Sequence, residues 1–150
     1  MKILIDTREQ EALDIKPGMH ITEVKRVKLD VGDYGCELEG KQLPLYFERK
    51  SQQDLWQTLT SDVKRFKTEV ARAKEANVTL YLVIEGTLSD VYKGNEFSEI
   101  FGSQVVKTLH MFKVKYGIEC SFWTRDDMKY HIIETFSACE RNMAKGEPNA

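Results

Sequence analysis

The sequence has little net charge, few potential soft-metal ligands and no membrane-length apolar run. Twenty-two Lys and Arg stand against twenty-four Asp and Glu, a formal charge of −2, so no global field draws the chain to nucleic acid. Any nucleic-acid surface must be local, built from clustered cations or around a bound metal. That argues against a passive DNA-coating role and suits an enzyme carrying acidic metal ligands. Cys36, Cys120 and Cys139 are odd in number, widely spaced and without a Cys-x-x-Cys pair, so they read as reduced thiols packed as small hydrophobes. His20, His110 and His131 have no ligand spacing, which argues against zinc. The N-terminus becomes charged too early for a secretory leader. The expectation is a soluble intracellular chain, in a bacterial or phage-type cytosol or a nucleus, with no membrane partner and no organic cofactor. Without repeats, low-complexity tracts or linkers, residues 1–145 read as one domain and 146–150 as a frayed tail.

What is present is a succession of periodic segments. Lys2 to Ile5 is a short apolar strand, stopped at Asp6-Thr7-Arg8-Glu9. Ile21 to Leu29 alternates imperfectly, as a bulged or edge strand does. Val78 to Glu85 is an almost unbroken apolar run, read as a central buried strand, and Ile118 to Trp123 is another strand. A helix is expected from Ser51 to about Ala76, where Leu55, Leu59, Val63, Phe66, Val70 and Ala73 form one stripe. Gly86 to Glu96 reads as a loop with at most one helical turn. Phe97 to Tyr116 reads as mostly helical, ended by Gly117. A last helix opens at Asp126, its buried stripe being Ile132, Ile133, Phe136 and Cys139 or Met143. This order describes a layered α/β domain.

The chain is organised around Phe47-Glu48-Arg49-Lys50-Ser51-Gln52-Gln53-Asp54, with Gly32-Asp33-Tyr34 upstream. On a strand, Glu48 and Lys50 share one face while Phe47 and Arg49 share the other. A hairpin turning at Gly40-Lys41 sets Leu38 against Leu43 and Asp33 against Glu48. Directly opposed residues have Cβ atoms about 5 Å apart, and like charges there repel. A divalent cation would turn that repulsion into binding. An Asp facing Glu-x-Lys is the constellation of metal-dependent phosphodiester cleavage: hard oxygens suit Mg²⁺ or Mn²⁺. The Arg49 carbonyl could add a third oxygen, and Lys50 could hold the attacking water. The Arg49 side chain points away, so support is its expected role. Ser51 and Asp54 have capping-box spacing; Asp54 is expected to close the helix while bonding a site residue. Asp6 as a turn cap and Glu9 as the solvated partner of Arg8 are weighed evenly against functional roles for both acids.

Ile5-Asp6-Thr7-Arg8-Glu9, Gly32-Asp33-Tyr34 and Glu48-Arg49-Lys50 with Asp54 strongly resemble the XPF-type structure-specific nuclease family. Val63-Lys64-Arg65-Phe66 and Leu109 with Gly117-Ile118 resemble its later blocks, in the family's order and spacing over about the first 125 residues. The resemblance implies a restriction-endonuclease-like (PD-(D/E)XK) three-layer α/β fold around a central mixed sheet. It implies a Mg²⁺- or Mn²⁺-dependent DNA endonuclease acting on flaps, forks or junctions in repair or recombination. Asp33, Glu48 and Lys50 would be catalytic. Asp6, Glu9, Arg49 and Asp54 would assist, and Arg8, Lys64 and Arg65 would meet DNA. No room is seen for a helix-hairpin-helix or helicase module, so a free-standing nuclease domain is expected. The alternative is a catalytically weak DNA-binding or dimerisation scaffold, whose expected signature, loss of Asp33, Glu48 or Lys50, is missing.

A homodimer is also expected. Relatives pair through their nuclease domains, and Ile100, Phe101, Val105, Val106, Leu109, Met111 and Phe112 are broader than one core-facing stripe requires. Tyr130, Ile132, Ile133 and Phe136 add to that C-terminal surface. The competing reading is that both helices simply cover two sides of a sheet.

Overall fold

The apolar runs become the strands of one mixed sheet in a computed structural model that describes residues 1–96 and 98–146. The strands are β1 (Lys2–Asp6), β2 (Glu23–Val27), β3 (Tyr34–Leu38), β4 (Lys41–Gln42), β5 (Leu45–Lys50), β6 (Thr79–Glu85) and β7 (Glu119–Trp123). Their order is β2-β1-β3-β5-β6-β7, with β4 paired to β3. Antiparallel β3 separates two parallel sets, β1–β2 and β5–β6–β7. The imperfect alternation of β2 is explained by its place at the edge, where one side has no strand neighbour.

Strand alternation sorts the core into two clusters. Leu4, Tyr46, Leu82 and Ile84 pack under α1 (Gln52–Leu59), α2 (Val63–Glu75), α3 (Leu88–Lys93) and α4 (Gly102–Tyr116). Ile3, Ile5, Phe47 and Val83 pack under Met128, Ile132 and Phe136 of α5 (Arg125–Ala144). The result is three layers. No described helix is long and apolar enough to cross a membrane.

Several boundaries differ from expectation. The helix after Ser51 is two helices: Thr60 Oγ1 donates to Trp56 O at 2.6 Å, and Gln57 Nε2 donates to Asp62 Oδ2 at 3.0 Å. Short polar side chains thus divert the ladder over Thr60-Ser61-Asp62, where the apolar stripe ran on unbroken. Leu88–Lys93 is a helix with a Thr87 capping box rather than a loop with one turn. The next helix starts at Gly102, where a Cβ would lie 2.1 Å from the Val91 carbonyl, so only glycine permits that approach. The expected start, Phe97, lies outside the described residues, as does the tail at 147–150. In α5, Met128 joins the buried stripe; Ile133 and Cys139 pack at its margin, while Met143 is exposed. In α4, Val105, Val106, Leu109 and Phe112 are buried in the chain's own core, whereas Met111 and Val114 are exposed, as are Ile100 and Phe101 just before it.

The hairpin reaches its expected register by a different path. Its loop is Glu39-Gly40, both at positive φ, which pairs Leu38 with Lys41 instead of Leu43. Two extra residues then enter the second strand around Pro44, between the Leu43–Cys36 bond and the Tyr34–Phe47 pair. Proline has no N–H to donate and belongs at such an interruption. The turn shift and the insertion cancel, so the next residue, Asp33, falls beside Glu48.

Candidate active site

Three segments end together on the face covered by α1–α4. Gly32 (φ +71°) turns the chain where a Cβ would lie 2.9 Å from Phe47 O, which explains the glycine before Asp33. The Asp33 N–H donates to Phe47 O at 2.7 Å, and Asp33 Oδ2 accepts the Arg49 N–H at 2.8 Å. Asp33 therefore brackets Glu48 from the neighbouring strand. Lys50 Nζ lies 3.4 Å from Glu48 Oε1, on the expected shared face. These groups open into a cleft of about 340 Å³, also lined by Asp6, Arg8, Asp30, Asp54, Asp62, Arg65, Glu69 and Arg72.

The acids at its floor are under-neutralised. Burial, and then the charge of Glu48, push the Asp33 carboxyl up to about 8. Burial also raises Glu48, against the opposing pull of Lys50. Two crowded oxygen donors with surplus negative charge fit a hard divalent cation. A residue's N–H and C=O leave a strand on the same side, so the Arg49 carbonyl faces the edge its amide shares with Asp33. No described group of three or more His, Cys, Asp or Glu is arranged to hold a metal. The oxygens that could hold a cation here are those of Asp33, Glu48 and the Arg49 carbonyl, with water completing the shell as it usually does for Mg²⁺.

Across the same strand the electrostatics are opposite. The Arg49 guanidinium, with only 7% of its side chain exposed, donates to Glu9 Oε2 at 2.9 Å, Glu9 Oε1 at 2.7 Å and Glu85 Oε1 at 2.9 Å. Burial would raise the Glu9 carboxyl, but the Arg49 bonds outweigh it and bring it below its ordinary value. Glu9 does not line the cleft; it meets the site through Arg49 and through its charge, which helps to raise Asp33 and Glu48. Asp6 is likewise committed: it accepts the Leu29 amide at 2.8 Å and the Arg8 Nε–H at 2.8 Å. Burial raises Asp6 less than these bonds lower it. It fastens Arg8, whose Nη2 also donates to Leu29 O, while most of that side chain stays open to solvent.

Ser51 accepts the Asp54 amide at 3.1 Å, the expected cap. The Asp54 carboxylate, however, bonds no described site residue: it is exposed on the cleft rim, in the first turn of α1. Arg65 lines the cleft, whereas Lys64 does not. Glu69 and Arg72 were not singled out in the sequence. They follow Arg65 by four and seven positions on α2, and helical periodicity carried forward from Arg65 would have found them.

The ERCC4 domain model matches residues 5–133. XPF from Aeropyrum pernix superposes with a TM-score of 0.65 at 16% identity, covering 94% of this chain and 65% of that one. The same protein in complex with DNA gives 0.64 at 16% identity, with the same coverage. The chain thus spans just under two thirds of those solved chains and shares their restriction-endonuclease-like fold. Comparison with curated proteins yields no match. With the family's model covering nearly all of the sheet and every cleft residue, this chain belongs to the ERCC4 domain family.

Proposed function

We propose that the chain is a Mg²⁺- or Mn²⁺-dependent DNA endonuclease, and the observation that carries this is the convergence of Asp33, Glu48 and Lys50 in one cleft. Asp33 and Glu48, with the Arg49 carbonyl, would hold the cation, which when bound supplies Lewis-acid stabilisation of the phosphoryl charge. Lys50, ion-paired to Glu48, lies where an ammonium can orient an attacking water and balance charge developing on phosphate oxygens. Arg8 on one wall and Arg65 and Arg72 on the other offer guanidinium groups to the phosphates flanking the scissile bond. Asp6 braces Arg8 and takes no direct part.

The solved relative carries DNA in one of its structures. For this chain we take branched DNA as the substrate: flaps, forks or junctions arising in repair or recombination. We take the active form to be a homodimer, with Ile100, Phe101, Met111 and Tyr130 as the exposed apolar residues available to a second copy. A second copy would double the number of modest basic surfaces on one DNA. The test is cleavage of matched single-stranded, duplex, flap and four-way-junction substrates in Mg²⁺, Mn²⁺, Ca²⁺ and chelator. Cleavage in Mg²⁺ or Mn²⁺, concentrated on branched substrates, supports the reading; equal activity in chelator overturns it.

A further inference from the structure

The end of β6 runs beside β5 behind the cleft, and three separate segments hydrogen-bond to its last residue, Glu85, which has no part in the cation or DNA assignments above. Glu85 Oε1 accepts from Arg49 Nη1 at 2.9 Å and from Arg125 Nη1 at 2.9 Å. The Glu85 main-chain carbonyl accepts from Gln52 Nε2 at 2.9 Å, at the first residue of α1. Arg125, at the first residue of α5, donates its Nη2 to Glu11 O at 2.7 Å and Ala12 O at 3.1 Å. That carries the network into the segment after Glu9, which itself grips Arg49. The following residue, Gly86 (φ +103°), is pressed against the Gln52 amide: a Cβ there would lie 2.9 Å from Nε2. Glu85 thereby holds residues on both sides of Lys50, Arg49 by its side chain and Gln52 by its carbonyl.

The link to the cleft is the Arg49 backbone. Its N–H fixes Asp33 Oδ2, and its carbonyl is the third oxygen of the candidate cation site. A rotation of β5 about its own axis would move both, together with Glu48 and Lys50. The β5–β6 ladder pairs Arg49 with Val83 and Lys50 with Ile84, and the opposite-face grip on the Arg49 side chain, with the hold on Gln52, adds to it in resisting such a rotation. Glu9 supplies two of the Arg49 bonds. Glu85, pinned from behind by Arg125, supplies the third and anchors it to α5.

We propose that Glu85 and Arg125 are positioning residues that act through Arg49 to hold Asp33, Glu48 and Lys50 in register for cation and phosphate. Side chains that orient a metal's ligands commonly alter metal affinity by about 10–100-fold when removed. Arg125 is two-fifths exposed and Glu85 one-quarter exposed, so substitutions at either can be accommodated without opening the core.

The effect on the cation site rests on the nuclease reading, and the test has one arm that does not. In the apo protein, amide exchange of Arg49 reports its bond to Asp33 directly. Glu85→Ala and Glu85→Gln should speed Arg49 exchange by about tenfold while Leu82 and Val83, deep in β6, keep the parent rate. In the second arm, calorimetric Mn²⁺ affinity should fall about tenfold for Glu85→Ala and about threefold for Arg125→Ala. Arg125→Lys should recover the Glu85 contact and with it most of the affinity. The double variant should be no weaker than Glu85→Ala, because both act through one contact. A merely structural role would lower the melting temperature while leaving Arg49 exchange and Mn²⁺ affinity at parent values, and would overturn the proposal. Faster Arg49 exchange in the Glu85 variants, with a parent that binds no Mn²⁺ and cuts no DNA, would retain the positioning claim and remove the nuclease reading.

Discussion

The two faces of Glu48-Arg49-Lys50 differ more than any other two regions of the molecule. On the cleft face, Asp33 and Glu48 are crowded against one cation, Lys50, and both carboxyls are raised. On the α5 face, Arg49 is enclosed by Glu9 and Glu85 and every charge has a partner at 2.7–2.9 Å. Three consecutive residues differ in this way because a strand alternates its side chains. The lesson is that repulsion is retained where a cation or phosphate can enter and removed where nothing can. The comparison separates activity from stability, and substitutions on each face should separate them too.

The largest effect is expected from Asp33→Ala or Glu48→Ala. Losing a cation ligand removes several kcal/mol of charge stabilisation, about a thousandfold in rate. Because the lost carboxyl is one of two acids crowded into a desolvated site, the melting temperature of the apo variant should equal or exceed that of the parent, most clearly for Asp33→Ala above about pH 8, where Asp33 ionises. Cleavage rates and thermal melts on the same samples check this. Near-parent cleavage by Asp33→Ala would remove the site assignment.

Arg49→Ala should do the converse first. It strands the Glu9 carboxylate in a buried position, and breaking one side of a buried pair costs about 3–5 kcal/mol. Denaturant melts should show that loss, with activity falling as well because the Asp33 tether moves. Arg49→Lys should restore little, since a single ammonium cannot span Glu9 and Glu85. A fully stable Arg49→Ala protein would mean the two faces do not differ as described.

The faces should also titrate in opposite senses. Asp33 holds its proton to about 8 in the folded chain, against 3.8 for the ordinary group. Between those values the unfolded chain binds fewer protons, so this contribution to apo stability falls as pH rises through that window. Glu9 and Asp6 lie below their ordinary values. Their contribution is complete above the ordinary carboxylate range and is lost as pH falls through the depressed values. Asp33→Asn should flatten the alkaline-side loss and Glu9→Gln the acid-side loss. Saturating Mg²⁺ should abolish only the first. Chemical denaturation from about pH 2 to about pH 9, with and without Mg²⁺, measures all three.

How much of this could be read in advance depended on how local the cause was. Alternation placed Glu48, Arg49 and Lys50 on their faces, because that rule needs only the strand. The Asp33–Glu48 apposition was reached with the wrong turn, and the insertion around Pro44 compensated for it. Pro44 was the signal for it in the sequence, since proline within a sheet marks an edge or an interruption. The helix break at Thr60-Ser61-Asp62 was hidden because Leu59, Val63 and Phe66 keep helical spacing across it. Glu9 was the hardest. Its partner, Arg49, is 40 positions away, and only the folded sheet shows that the segment after β1 passes on the α5 side rather than into the cleft.

The smallest effect, and the sharpest test of the cleft walls, lies on α2. Arg65 and Lys64 are adjacent, both exposed cations, and composition treats them alike. Geometry does not: Arg65, with Arg72 two turns later, lines the cleft, and Lys64 lies off it. Arg65 is held only loosely, 3.9 Å from Glu69, so a phosphate can take it over without breaking a buried pair. Arg65→Ala should therefore weaken DNA binding by roughly threefold to tenfold and lower the salt dependence by about one phosphate contact. Lys64→Ala should change both within twofold, the small residue of a long-range charge that salt screens. Neither should alter the melting temperature, because both side chains are solvated. Binding is best measured in Ca²⁺ across a salt series, using a flap substrate, so that cleavage does not intervene. If Lys64→Ala and Arg65→Ala lose equal affinity with equal slopes, DNA feels only the net charge of α2, and the cleft walls do not choose which cation meets the phosphate.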